Sequence, residues 1–279
     1  MGRKIYLGVI YFITVICVIL GSCIHIFNFI ENSVLDNFFG KFSGSSSQVR
    51  NEETLEDFTA IDLEMSVMSV TIMEGDSFSI SYNCPEKYVP EYEVKNETLY
   101  VSQKDVHLNW PSGNSQKCNM TITIPNNALP SITGQLDVGD VNIKNIDITV
   151  LDITADVGNI EITNVDSGSF SLQADVGDIN LSDINMTDCY IGANVGDVDM
   201  EHCSFTTLDI QADLGDVDVS DILSAQENYR IDLETDLGEV SVNDKNYKKD
   251  YFSEASSNAE ENYKLTIYVA TGDVDVSFR

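Results

Sequence analysis

Hydrophobic and polar residues alternate along most of the chain after residue 57. The first run places Ile61, Leu63 and Met65 at every second position, and Val70 and Ile72 continue it after a short break. A period of two is typical of β-strands with one buried face. Shorter β-rich runs follow at 78–82, 99–101 and 120–124. We therefore predict an all-β body.

One acidic turn recurs through the second half of the chain. It appears as "ADVGNI", "ADVGDI" and "ANVGDV", at first with nineteen residues between successive glycines and then at longer intervals. The turn glycines are Gly139, Gly158, Gly177, Gly196, Gly215, Gly238 and Gly272. Apolar residues recur at the second and fourth positions after each glycine. Each unit is therefore predicted to contain two short strands that join at the glycine.

A fixed period with constant chemistry at each position predicts stacked repeats. Coils stacked about 4.8 Å apart would place equivalent side chains directly above one another. The alternative is a meander of antiparallel hairpins with tight turns at "VGD", but hairpins do not require successive units to share a register. The pattern favours a β-solenoid, or single-stranded β-helix, of roughly 19-residue coils. The stretch "MSVMSVTI", residues 65–72, resembles a degenerate unit with Met68 and Ser69 in place of glycine and aspartate.

The N-terminus predicts an anchor. Residues 5–30 contain no charged residue unless His25 is protonated. This apolar segment is long enough for one transmembrane helix. Arg3 and Lys4 precede this segment and predict a cytoplasmic N-terminus with the body outside the cytoplasm. The alternative is a lipoprotein, because "LGSC" resembles a lipobox that would make Cys23 the acylated residue.

Four segments follow from these patterns. We expect a cytoplasmic tip and transmembrane anchor at 1–30 and a stalk or linker at 31–55. An N-terminal β region at 56–133 would continue into the repeat solenoid at 134–279. An insertion at 243–263 interrupts the last two units, and it is either a functional loop or a cover for the open end of the stack.

Acidic residues greatly outnumber basic ones. The 279 residues include 46 acidic and 15 basic residues, a formal net charge of -31 at pH 7. Such a surface repels nucleic acid and anionic lipid headgroups, so no nucleic-acid partner is expected. It would attract cations, basic proteins or cationic peptides. Solubility alone is the other explanation of the excess.

The acidic positions beside the turn glycines are the candidate cation site. Two stacked columns of like charge would repel, and calcium between coils would remove that repulsion with oxygen ligands. The candidate ligands are Asp137, Asp140, Asp175, Asp178, Asp213 and Asp216. The alternative is that these side chains point outward at a bend and accept local backbone N–H bonds. Asn194 and Asn159 interrupt the two columns, and the glycine-rich calcium nonapeptide is missing, so we expect no metal and no other cofactor.

The remaining chemistry-bearing residues form no catalytic pattern. There is no phosphate loop, nucleophile elbow or Cys-x-x-Cys pair, so no enzyme activity is expected. An oxidising exterior would permit a disulfide between Cys84 and Cys118. Cys189 and Cys203 fall on apolar columns and are expected to be packed thiols. Trp110 lies in a loop-like segment, where it would either stack on a ligand or fill the core.

Four stretches together resemble a bacterial envelope family known as "putative adhesin", a domain family of unknown function. They are "FTAIDLEMSVMSVTIMEGDSFSISY", "NMTITIP", the serial "DVGDV" units and "ATGDVDVSF", and they extend over residues 58–279. The resemblance implies an N-terminal anchor and a β-solenoid body, and some members accompany envelope-stress signalling systems. It supplies no catalytic residues.

The expected function is a membrane-anchored, extracytoplasmic, non-catalytic binding or adhesion module with a rigid acidic surface. Its partners would be the membrane, through the N-terminal helix, and a cell-surface, matrix or envelope protein or a glycan. The alternative is an accessory component of envelope-stress sensing. A carbohydrate-active β-helix enzyme is the third candidate.

Overall fold

The structure is a computed structural model that describes residues 48–104, 118–125, 131–257, 259 and 263–279. These residues belong to one compact unit. The predicted anchor, most of the stalk, Cys23 and Trp110 lie outside the described residues. None of the helical segments in the described part of the chain has the length and hydropathy that a membrane span requires.

The described residues form one sheet of 21 strands with two short 3-10 turns, at Glu86–Tyr88 and Gln226–Asn228. The strands before the regular repeats are β1 Gln48–Thr54, β2 Ala60–Met65, β3 Ser69–Glu74, β4 Ser79–Pro85, β5 Glu91–Lys95, β6 Thr98–Ser102 and β7 Asn119–Ile124. The repeat strands are β8 Ser131–Val138, β9 Val141–Lys144, β10 Ile148–Val157, β11 Ile160–Val176, β12 Ile179–Val195, β13 Val198–Glu201, β14 Ser204–Leu214 and β15 Val217–Ile222. The last strands are β16 Tyr229–Leu237, β17 Val240–Val242, β18 Lys245–Asn246, β19 Asp250–Ser253, β20 Tyr263–Thr271 and β21 Val274–Phe278.

Successive repeats pair in parallel with an offset of one unit. Ile153 of β10 pairs with Leu172 of β11, which pairs with Ile191 of β12 and then with Ile210 of β14. This parallel register excludes the antiparallel meander for the repeats. The result is a long all-β stack, consistent with the predicted solenoid.

The order of the last coils in space differs from their order in the chain. β20 pairs with β14 on one side and β16 on the other, and β21 lies in the same way between β15 and β17. The C-terminal coil therefore lies between its two predecessors, where the sequence repeat predicted serial stacking. The reason is the insertion after β17, since it returns the chain along the outer side of β16 and β17.

The insertion covers the end of the stack. β19 pairs antiparallel with β16, and β18 pairs antiparallel with β17. Because the outermost parallel strands would otherwise present unpaired backbone groups, these short antiparallel strands act as a cover. Of the two roles predicted for the insertion, covering the open end is the one that the strand pairing shows.

The N-terminal end repeats this arrangement. β2 lies between β6 and β8, and β3 lies between β7 and β9, so an early coil is again enclosed by later ones. β5, β4 and β1 then add antiparallel strands outside β6 and β7. β3 with the preceding turn is the degenerate unit, and it stacks directly on the unit of Gly139.

The core consists of the inward columns of the coils. Their Ile, Val, Leu and Ala side chains are buried from Phe58 to Val276, and Cys189 and Cys203 are buried among them. Towards the C-terminal coils Tyr229 is also buried, and its ring packs against those of Phe205, Tyr263 and Phe278 at centroid distances of 5.0–5.4 Å. Burial raises the pKa of the Tyr229 hydroxyl, so this ring stays neutral.

Candidate functional site

The turn glycines form one corner of every coil. Six of them have φ between 145° and 150°, a backbone conformation that residues with a Cβ atom rarely adopt. A Cβ atom at Gly177 would lie 2.1 Å from the carbonyl oxygen of Gly158 in the neighbouring coil. A Cβ atom at Gly238 would likewise lie 1.9 Å from the carbonyl oxygen of Gly272. Backbone spacing between coils therefore requires glycine here.

The residue after each glycine carries a hydrogen-bond ladder along the stack. The Oδ1 atom of Asp140 accepts the backbone N–H of Asn159 at 3.0 Å, and Asn159 Oδ1 accepts the N–H of Asp178 at 2.9 Å. The same bond continues through Asp197, Asp216, Asp273 and Glu239 at 2.8–3.0 Å. In the degenerate unit, Ser69 Oγ accepts the N–H of Asp140 at 3.2 Å.

This ladder explains why an asparagine can stand among the aspartates of what we call the ladder column (Ser69, Asp140, Asn159, Asp178, Asp197, Asp216, Asp273, Glu239). Each side chain before the terminal Glu239 supplies one acceptor oxygen, which a hydroxyl, a carboxylate and an amide all have. The sequence predicted that these residues accept backbone N–H groups locally. The acceptor role is as predicted, but the donor belongs to the next coil, nineteen residues away in the regular part.

A second acidic column precedes the glycine by two positions. We call it the leading column, and its members are Asp137, Asp156, Asp175, Asn194, Asp213 and Asp236, all exposed. Within it Asn194 donates to Asp175 Oδ1 at 2.8 Å. The six predicted calcium ligands divide equally between the leading and ladder columns. In the described ranges no three acidic, Cys or His side chains are placed to hold one metal ion.

Between the two columns lies an apolar row that we call the corner ridge. It consists of the residues immediately before the turn glycines, Val138, Val157, Val176, Val195, Leu214, Thr271 and Leu237, in stacking order. Five side chains of this row are exposed, with exposed fractions of 47% for Val157, 48% for Val176, 42% for Val195, 43% for Leu214 and 50% for Leu237. An apolar row on the surface thus has an acidic column on each side.

Carboxylates also lie next to one another on the neighbouring strands β13, β15 and β21. Asp199 pairs in register with Asp218, which pairs with Asp275. Partial burial, followed by the neighbouring carboxylates of Asp218 and Asp197, raises the pKa of Asp199. Partial burial and the charge of Asp275 raise the pKa of Asp218, against a hydrogen bond from Ser220 that lowers it. Two like charges on neighbouring strands, about 4.8 Å apart, repel by roughly 1 kcal/mol in water.

Comparison with protein families assigns the fold. The family described as Toastrack DUF4097 matches residues 58–261. The chain belongs to the Toastrack family. The matched range includes the degenerate unit, the regular coils and most of the covering insertion. The predicted resemblance to the "putative adhesin" family is confirmed, because structural neighbours of this Toastrack chain carry that name.

One solved structure agrees with the fold, and a second is reported for comparison. A crystal structure of a "putative adhesin" from Bacteroides fragilis is 17% identical, covers 84% of this chain and 98% of its own, and has a TM-score of 0.50. A "putative cell adhesion protein" from Clostridium sporogenes is 16% identical over 84% of this chain and 100% of its own, with a TM-score of 0.45. At these identities the likeness concerns the fold alone. No curated protein matched the sequence.

A second corner of the Toastrack coil was missed at the sequence level. The sixth residue after the glycine has positive φ in the regular coils, at Asn145, Asn164, Asp183, His202 and Asp221. Asn, Asp and His adopt this conformation more readily than most residues, so their recurrence at this position was the available signal. Asn164 donates to Asn145 Oδ1 at 2.9 Å, and His202 Nε2 lies 2.8 Å from Asp221 Oδ2. This column supports the coil and brings together no reactive groups.

Four cysteines of the described ranges are buried in the Toastrack body, Cys84, Cys118, Cys189 and Cys203. The disulfide that the sequence permitted between Cys84 and Cys118 stays a prediction. β4 and β7 pair Asn83 with Asn119, so the next antiparallel position places Cys84 opposite Cys118. Burial, with the charge of a Cys84 thiolate second, raises the pKa of Cys118 to about 11. Burial raises the pKa of Cys203 to about 11 and also raises that of Cys189, which disfavours the reactive thiolate form at both.

The aromatic residues of the covering insertion divide between packing and exposure. The rings of Tyr247 and Tyr251 lie 4.5 Å apart between centroids and pack on the core. Phe252 is exposed, and the guanidinium of Arg230 lies 5.4 Å from its ring centroid. Only Phe252 of the three therefore offers its ring to a partner.

Proposed function

We propose that the chain is a membrane-anchored, extracytoplasmic binding or adhesion module, and that it acts by presenting the rigid acidic surface of a β-solenoid with 19-residue coils. Its partner would be an envelope, cell-surface or matrix protein or a glycan. The observation that carries this proposal is the ladder column, because an unbroken series of coil-to-coil hydrogen bonds fixes the spacing of every outward row. Rigid, repeated rows suit recognition of an extended partner, since little conformational freedom is lost on binding.

The proposed location rests on the sequence. Residues 5–30 would anchor the chain with Arg3 and Lys4 in the cytoplasm, and acylation of Cys23 is the alternative anchor. Protease added to intact cells should digest the body in either case. Mass analysis of the N-terminus of the membrane-bound chain separates the two, because an intact N-terminus supports the helix and a chain that begins at an acylated Cys23 supports the lipid anchor. A body that is protected from protease until the cells are broken would contradict both.

Retention assays test the binding role. The full chain, kept in mild detergent, is immobilised and offered whole cells, matrix proteins and an array of glycans. We expect salt-sensitive retention of one of these classes. The matched variant is Asp137→Asn, Asp175→Asn and Asp213→Asn, which removes three exposed charges and no ladder bond. Its retention should fall at least about tenfold if the acidic surface makes the contact.

Other outcomes assign other roles. Cross-linking in the native membrane to a neighbouring membrane protein, without retention of cells, matrix or glycans, would favour the envelope-stress alternative. Turnover of a polysaccharide by the full chain would contradict the non-catalytic proposal.

A further inference from the structure

The corner ridge concentrates exposed apolar surface in one row. Eleven large hydrophobic side chains are exposed in the described part of the chain, and five of them belong to this ridge. Single exposed apolar residues are ordinary on protein surfaces, whereas a contiguous row is typical of an interaction site. The ridge therefore differs from background exposure.

The fold does not require the ridge to be apolar. Thr271 occupies the same register position between Leu214 and Leu237, so a hydroxyl-bearing residue fits this corner. The leucines are also not explained by a preference for β-branched residues in strands. At the valine rungs threonine would satisfy the same strand preference, since it is also β-branched. The apolar side chains of the ridge are therefore not required by the strands that carry them.

The charges beside the ridge define its partner. Acidic columns border it on both sides, except at the rung of Thr271, where Ala270 stands at the leading position. In the described ranges no Lys or Arg side chain forms an ion pair with the carboxylates of these columns. A second copy placed ridge to ridge would oppose carboxylates to carboxylates, and anionic lipid would be repelled likewise. An occupant must therefore combine an apolar stripe with positive charge along both of its edges.

We propose that the corner ridge docks a cationic amphipathic helix whose apolar stripe lies along the ridge and whose Lys or Arg residues meet the leading and ladder columns. This inference rests on the proposed binding role and names the partner chemistry of that surface. The rungs repeat every 4.8 Å or so, close to the 5.4 Å pitch of an α-helix. Seven rungs extend about 29 Å, the length of a helix of roughly 20 residues.

Direct titration tests the proposal. The full chain in mild detergent is titrated with a fluorescent 20-residue helix that has leucine on one face and lysine on both flanks. Two probes of equal length serve as comparisons, a scrambled Leu/Lys peptide without an apolar face and a Leu/Glu helix. We expect the Leu/Lys helix to bind at least about tenfold more tightly than the scrambled peptide, and the Leu/Glu helix not to bind.

Matched variants locate the contact. Val157→Thr, Val176→Thr and Val195→Thr together copy the residue found at Thr271, and they should weaken binding at least about tenfold. Asp175→Asn with Asp178→Asn should weaken it several-fold, since amides replace charges as at Asn194 and Asn159. The controls are Val150→Thr, which changes an exposed valine away from the ridge, and Asp152→Asn with Asp188→Asn. These should bind as the parent does.

Three results would overturn the ridge assignment: equal affinity for the scrambled peptide, unchanged affinity of the threonine variant, or equal losses in the controls. Circular dichroism and the melting curve of each variant separate misfolding from loss of contact. If the Leu/Lys helix fails to bind while the chain still retains cells, matrix or glycans, only the ridge proposal fails. If retention also fails, the proposed binding role fails with it.

Discussion

At the glycine corner only glycine fits, because it has no Cβ atom. At Gly177 both the positive φ and the nearby Gly158 carbonyl oxygen oppose a side chain. The adjoining Asp178 uses one oxygen to join its coil to the next, through the N–H of Asp197. The two residues therefore act together, because glycine permits the close approach of the coils and aspartate hydrogen-bonds across it.

Gly177→Ala should destabilise the chain by about 2 kcal/mol or more, because the strain and the backbone contact cannot be relieved by a side-chain rotation. Chemical denaturation of the full chain measures this. The control is Gly192→Ala, where the heavy atom nearest to the added Cβ would lie at 3.5 Å. Equal stability of the two variants would contradict the role assigned to the corner.

Asp178→Ala should cost about 1 kcal/mol, because the N–H of Asp197 loses its acceptor. Asp178→Asn should cost little or raise the stability, since the amide oxygen preserves the bond and one negative charge disappears. The free energies of unfolding of the two variants decide between a hydrogen-bonding and a purely electrostatic role. If asparagine proves as harmful as alanine, the ladder does not carry the effect.

At the scale of strands, parallel stacking converts single acidic residues into rows. The carboxylates of Asp199, Asp218 and Asp275 meet on neighbouring strands, and partial burial and mutual repulsion raise the pKa of the first two. A raised pKa in the folded state means that the folded chain holds these protons more tightly than the unfolded chain. The resulting stabilisation is complete below the unfolded pKa and is lost as the pH rises through the folded pKa.

Asp199→Asn with Asp218→Asn should therefore raise the melting temperature at pH 7 by on the order of 2 °C. The advantage should shrink as the pH falls through the raised pKa values and vanish below about pH 3.9, the ordinary aspartate pKa. Melting curves between pH 3 and 7 measure it. Asp152→Asn with Asp232→Asn, at two exposed positions on other strands, is the control. A gain that does not depend on pH would contradict the electrostatic cause.

The antiparallel pairing of β4 with β7 favours a disulfide between Cys84 and Cys118. Directly opposite Cα atoms in antiparallel strands lie about 4.5–5.5 Å apart, within the range of disulfides. Oxidised glutathione at alkaline pH should therefore link Cys84 to Cys118, slowly because burial raises the pKa of both thiols. Peptide mapping by mass spectrometry should find the bridge with a loss of two hydrogen atoms.

The buried pair Cys189 and Cys203 is the internal control for this oxidation, and both should stay reduced under the same conditions. A link that involves either of them, or a mixed disulfide at Cys84 alone, would contradict the register drawn from β4 and β7.

At the scale of the whole molecule, the C-terminal coil is an internal part of the stack. Deleting residues 263–279 removes the shared neighbour of β14 and β16 and the buried side chains Leu265, Ile267 and Val269. With Val274 and Val276 also lost, the hydrophobic contribution removed is on the order of 10 kcal/mol. The truncated chain should lose cooperative unfolding in the region after residue 203.

A synthetic peptide of residues 263–279 should restore cooperative unfolding when added to the truncated chain. The same peptide with Gly272→Ala should not restore it, because its Cβ would lie 1.8 Å from the carbonyl oxygen of Gly215. Calorimetry of the mixtures measures both. A truncated chain that melts like the parent would show that the coil is peripheral.

The repeat itself was predictable, and so were the column positions of its core. Strict alternation identified the buried faces, and the shared register of the glycines indicated parallel coils, because only stacking makes equivalent residues neighbours. The sequence also located Met68 and Ser69 of the degenerate unit, because the stretch around them resembles the repeat pattern. The second corner at Asn145 and Asn164 was missed because its residues vary among Asn, Asp and His and include no glycine, although the position after it is apolar in every regular coil.

The sequence by itself determined the all-β class, the 19-residue period and the residues at the glycine corner, since these depend on local periodicity and backbone sterics. Only the tertiary structure decided the spatial order of the terminal coils, the donor for each ladder residue and the exposure of the corner ridge. The physical reason is that these features depend on which coil lies next to which. Contacts between strands distant in the chain fix that choice, and no local pattern encodes it.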